Sequence, residues 1–81
     1  MNIKHTEIYT SSDLALATVV SLYFPIAHVD KTNPRKAQFV FNRSKDLENL
    51  INRYWKNELL VEPRHYFDQL KALKARIYET G

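Results

Sequence analysis

The most apolar stretch of the chain is residues 13–24, Asp-Leu-Ala-Leu-Ala-Thr-Val-Val-Ser-Leu-Tyr-Phe, in which Asp13, Thr18 and Ser21 are the polar residues. A helix that is apolar on nearly every side is buried on nearly every side, so the rest of the chain must build walls around this one. Thr10, followed three residues later by Asp13, reads as a capping box with an acid in the third position. Pro25 closes the segment, because the residue before a proline is pushed out of the helical region. The pattern therefore predicts a central helix over residues 10–24.

Beyond Pro25 the periodicity changes. Residues 26–31 read as a strand, and residues 37–42 alternate more clearly: Ala37, Phe39 and Phe41 fall on one face, Gln38, Val40 and Asn42 on the other. Between them, residues 32–36 contain Asn-Pro and form a turn. Ser44 is a good N-cap, with Asp46 and Glu48 in the first turn where the helix dipole favours acids. Leu47, Leu50, Ile51, Tyr54 and Trp55 then form an apolar stripe at helical spacing, and Asn57 is a stop. Leu59, Leu60 and Val61 make an apolar connector that should tuck inward. Pro63 suits the first position of a third helix, whose stripe is Tyr66, Phe67, Leu70, Leu73 and Ile77, with Lys71, Lys74 and Arg76 in its last turns. Thr80 and Gly81 should fray.

Residues 1–9 are an N-terminal arm or an edge strand; their poor alternation favours the arm. The expected fold is a single α+β domain over residues 10–79, ordered α-β-β-α-α, with a two-stranded antiparallel hairpin packed on three helices. A chain of 81 residues buries roughly 60–65% of its unfolded surface, so its core is small.

Cysteine is absent, which excludes disulfides, thiolate metal sites and cysteine nucleophiles. No basic segment followed by an apolar run marks a signal peptide, and the 13–24 run is too short to span a bilayer. A cytoplasmic protein without a membrane partner fits these features. The formal charge is +3, and its distribution matters more than its size. Lys31, Arg35, Lys36, Arg43 and Lys45 fall within fifteen residues that hold no acid, which leaves the remainder of the chain net acidic.

Candidate chemistry is sparse. The lone glycine, Gly81, rules out a P-loop and a dinucleotide fingerprint within this sequence. No serine sits in a nucleophile-elbow setting. His28 and Asp30 share a strand face, but no further ligands stand at metal-site spacing, so a solvated face is the simpler account. Asp13 is explained by the start of the helix, and His5 and His65 are isolated. A non-enzymatic protein with no cofactor and no metal is expected.

The order Thr10-Ser-Ser-Asp13-Leu14-Ala-Leu-Ala17, Phe39-Val-Phe41, Tyr54-Trp55, Val61-Glu-Pro63 and Leu70-Lys-Ala-Leu73-Lys74 resembles a family of short prokaryotic and phage-associated domains of unknown function. The resemblance spans about residues 9–78. It implies a compact α+β domain and transfers no activity, cofactor or catalytic residue.

Two functional classes are open. One is a small binding module that contacts nucleic acid, or a nucleoprotein complex, through Lys31, Arg35, Lys36, Arg43 and Lys45, since a projecting ribbon with Lys and Arg neutralises phosphates. No RNP aromatic motif, Gly-x-x-Gly loop or helix-turn-helix glycine accompanies the run, which a solvated surface would also explain. The other is a protein–protein module, an adaptor or inhibitor, using Tyr54, Trp55, Leu59 and Leu60. Trp55 serves there either as an interface anchor or as cover for the core. A hairpin with two open edges and an apolar second strand further predicts a homodimer that pairs strands across a two-fold axis.

Overall fold

The computed structural model describes residues 7–33 and 35–79. The elements run β1 (Ile8–Ser11), α1 (Leu14–Ser21), β2 (His28–Asp30), β3 (Gln38–Asn42), α2 (Lys45–Trp55) and α3 (Pro63–Tyr78). The α+β class agrees with expectation, but the sheet does not. It has three antiparallel strands in the order β1-β3-β2. Of the two readings of the N-terminal segment, arm and edge strand, residues 8–11 are the edge strand. This strand pairs along β3, with Tyr9 opposite Phe41 and Ser11 opposite Phe39. Its alternation is poor because its outward residues, Ile8 and Thr10, do not follow a simple polar pattern; the ladder to β3 decides the conformation instead. The expectations for residues 1–6, Pro34, Thr80 and Gly81 lie outside the described residues.

This third strand shortens the first helix. Thr10 is a strand residue and does not cap. Asp13 is itself the N-cap: its carboxylate accepts the Leu16 N–H at 3.1 Å, and its own N–H donates to the Ser11 hydroxyl at 3.1 Å. At the other end the helix gives way to turns at Leu22, as Pro25 requires. Between these limits Leu16, Ala17, Thr18, Val19 and Val20 are all buried, five in succession. Thr18 is tolerated there because its hydroxyl donates to the Leu14 carbonyl at 2.7 Å.

The molecule has two layers and measures 35 × 33 × 18 Å along its principal axes. The inward face of the sheet carries Tyr9, Val29, Phe39 and Phe41, and it packs on Leu16, Ala17 and Val20 of α1, Leu47, Leu50 and Ile51 of α2 and Leu73 of α3. Phe39 and Phe41 are almost wholly buried and anchor this core. The opposite face presents Thr10, His28, Gln38 and Asn42 to solvent.

Helices α2 and α3 start as expected, at the Ser44 cap and at Pro63. Helix α2 ends in a Schellman arrangement. The Glu58 N–H donates to the Arg53 carbonyl at 2.9 Å and the Asn57 N–H to Tyr54 at 3.1 Å, with Asn57 at φ 59°; asparagine tolerates that left-handed region. Three expected core positions point outward. Trp55 is 60% exposed, Phe67 55% and Leu60 94%.

Candidate nucleic-acid interface

The turn between β2 and β3 is held by its own side chains. The Asp30 carboxylate accepts both the amide and the hydroxyl of Thr32, and these two hydrogen bonds hold its pKa below the ordinary value. The Asn33 side-chain oxygen accepts the Arg35 N–H at 2.9 Å, and the Lys36 N–H donates to the Asn33 carbonyl at 3.1 Å. Short side chains that satisfy nearby backbone in this way build turns without a core. The result is a defined tip with Lys31, Arg35 and Lys36 exposed on it.

The tip is docked on the end of α3. The Lys31 ammonium donates to the Glu79 carbonyl at 2.6 Å. Lys31, Asn33, Arg35 and Ala37 line a hollow of about 300 Å³ together with Ile77 of α3. Lys74 stands one helical turn before Ile77, and Arg76 adjoins it. Lys31 and Arg35 therefore share one end of the molecule with the last turns of α3, while Lys36 lines a separate hollow with Asp30, Thr32, Asn33 and Gln38. The lysines and arginine of α3 suit the helix dipole from sequence alone; their neighbourhood with the tip follows only from the docking.

Arg43 and Lys45 are not part of that end. They follow β3, seven residues or more beyond Lys36, which is about 23 Å along an extended chain. Arg43 is occupied locally. Its guanidinium pairs with Glu48 at 2.8 Å, donates to the Ile8 carbonyl at 3.3 Å, and lies 5.9 Å from the centroid of the Tyr9 ring. It fastens β1 to the start of α2. Lys45 opens α2 and is exposed. The charge run that is continuous in sequence is thus divided in space.

The second candidate set is joined in part: Tyr54 and Leu59 line a shared hollow of about 270 Å³ with Val61 and Tyr66, and Trp55 stands outside it. Tyr54 is half-buried and meets the Trp55 ring edge-on at 5.0 Å and 85°. Burial pushes the pKa of the Tyr54 phenol up, and that of Tyr9 likewise. Leu59 and Leu60 border a cleft of about 390 Å³ whose other apolar walls are Tyr23, Phe24 and Leu50, with Asn49 and Arg53 at its rim. Trp55 is not in its lining. Tyr23, 54% exposed, was not a candidate from sequence, because its place in the first apolar run marked it as core.

His28 and Asp30 both lie on the outward face of β2. Among the described residues, no group of three or more His, Asp or Glu is placed to hold a metal ion. No helix among them is long and apolar enough to cross a membrane.

No curated protein matches this chain, and no solved structure does. One family model matches, over residues 6–79, which takes in all three strands and all three helices. The chain belongs to that family, the domain of unknown function DUF5659.

Proposed function

We propose that this domain is a non-enzymatic module that binds nucleic acid, or a nucleoprotein complex, at the end formed by the hairpin tip and the last turns of α3. The observation that carries this reading is the Lys31–Glu79 contact. It sets Lys31 and Arg35 against the Ile77 turn of α3, one helical turn on from Lys74. Four cations that touch phosphates, Lys31, Arg35, Lys36 and Lys74, would give a slope of log K against log salt of about −3.6 on duplex DNA. Arg43 has no part in this surface, since its partners lie within the fold.

The test is a salt titration of duplex binding with wild type, Arg35→Glu/Lys36→Glu and Arg43→Ala. The tip variant should keep its fold, because exposed turn residues are tolerant, and should lose affinity by about tenfold or more at low salt. Arg43→Ala should bind as wild type does. A tip variant of undiminished affinity would remove the tip from the interface.

A protein-interaction role is supported by a separate observation, Leu60 at 94% exposure beside Tyr23 at the mouth of the 390 Å³ cleft. An adaptor or inhibitor, phage-encoded if the sequence resemblance holds, would use that cleft. Trp55 would lie outside it. Capture of one protein that survives nuclease treatment and is lost in Leu60→Asp would favour this role.

A further inference from the structure

The outward face of α3 is not an ordinary solvated face. At about 100° per residue, the buried Leu73 defines the inward direction, and Tyr66, Gln69, Leu70, Arg76 and Ile77 fall within about 60° of it. These are the residues of the helix that are half-buried. Lys74, Phe67, Tyr78, Lys71 and Arg64 lie, in that order, within an arc of about 80° on the far side. All five are exposed, Phe67 by 55% and Tyr78 by 78%. Asp68, the one acid within the helix, projects beyond Arg64 on the next flank. Two large aromatic rings therefore stand on the surface, separated by about 16 Å of helix, with two lysines between them.

We infer that this face binds single-stranded nucleic acid, with Phe67 and Tyr78 stacking on unpaired bases and Arg64, Lys71 and Lys74 neutralising phosphates. The inference rests on the nucleic-acid reading above and names the form of the ligand. Charge complementarity selects a polyanion, since the arc holds three cations and no acid, with Asp68 about 40° beyond its edge. The rings select unpaired bases. A duplex hides its π faces within the stack, whereas a single strand offers one at every nucleotide, and stacking on aromatic side chains is how sequence-tolerant binders hold it. An anionic membrane is a poorer match. An interfacial helix buries a broad apolar face, and this arc holds two aromatics and no aliphatic residue. The Lys71 ammonium lies 5.3 Å from the Phe67 ring centroid, so a cation already steadies that ring at one face and the other face is the one left for a base. At its C-terminal end the stripe runs into the hairpin tip: Lys74 lies only about 60° around the helix from Ile77, which touches the tip's hollow. A strand laid along α3 would therefore pass from aromatic stacking to the tip cations, with Glu79 the acid at that junction.

The experiment measures binding of a labelled oligothymidylate of about 15 nucleotides, and of a duplex of the same length, to wild type and Phe67→Ala/Tyr78→Ala across a salt series. Wild type should prefer the single strand. The aromatic variant should lose single-strand affinity by about tenfold or more, with its duplex affinity, its salt slope and its melting temperature unchanged. Lys71→Glu/Lys74→Glu should instead flatten the slope. Should the alanine pair melt early, Phe67→Leu/Tyr78→Leu repeats the test with apolar bulk kept and the π faces gone. Equal affinity for both polymers, unmoved by the aromatic changes, overturns the inference; a duplex affinity that still falls in Arg35→Glu/Lys36→Glu would then leave the tip interface standing. Binding of neither polymer at low salt removes both. Binding to phosphatidylserine vesicles, lost in the aromatic variant and without any oligonucleotide binding, would reassign the face to a membrane.

Discussion

Arg43 looks like a ligand contact in sequence, and in the structure its partners lie within the fold. It sits in a basic run, yet it touches Glu48, the Ile8 carbonyl and the Tyr9 ring. Its backbone N–H also donates to the Glu7 carbonyl at 2.8 Å. The ion pair is substantially exposed, 40% and 49% for the two side chains, so solvent screens it and the pair alone is worth under about 1 kcal/mol. The ring contact adds about 0.5–1 kcal/mol at such a site. Arg43→Ala should therefore destabilise the domain by roughly 1–1.5 kcal/mol in urea denaturation. A variant as stable as wild type that has lost nucleic-acid affinity would reverse this assignment.

At the scale of the element, α1 is the part on which the others depend. It contacts β1, α2 and α3, and Gln69 of α3 donates to the Ser21 hydroxyl at 3.0 Å. Leu16 is 2% exposed and sits among Phe39, Phe41 and Leu47 in the core. A carboxylate placed there would have no partner, at a cost of several kcal/mol, against a total stability of about 5 kcal/mol for a small domain. Leu16→Asp should thus leave no cooperative thermal transition by circular dichroism. A soluble variant with a sharp melt would mean that this side chain is not in the core. The third helix illustrates the limit of periodicity. Phe67 satisfies the apolar spacing as well as Tyr66 does, but one side of the helix meets α1 and the other meets water, and spacing cannot say where the boundary falls.

At the scale of the whole molecule, the third strand changes the case for self-association. The dimer expected from the sequence needed β3, with Phe39 and Phe41 on its inward face, as an open edge. Here β3 is central, flanked by β1 and β2. The edges that remain are strands of four and three residues, and short edges are poor templates for pairing. Sedimentation at tens of micromolar should give a mass near 9.6 kDa. A mass of twice that value would require a contact other than β3 pairing, and the Leu60 cleft would be the first place to seek it.

Local chemistry alone dictates several elements of this fold. The buried character of α1, the strand over Gln38–Asn42, the Ser44 cap, the Asn57 stop and the start of α3 at Pro63 all follow from spacing, capping and the geometry of proline and asparagine. The basic residues were legible as a group because charge can be counted. Tertiary structure decided the rest, since each remaining question concerned partners distant along the chain. Ile8–Ser11 is a strand because β3 lies beside it, and its own alternation could not say so. The run of five cations is divided because β3 carries Arg43 away from the tip, while a lysine 48 residues from Glu79 in sequence closes on that residue's carbonyl. Ile77 meets the tip for the same reason. Phe67, Tyr78, Leu60 and Tyr23 are surface residues because they fall at positions that no other element covers: an apolar side chain states a preference for burial, and the packing of the other elements decides whether it is met.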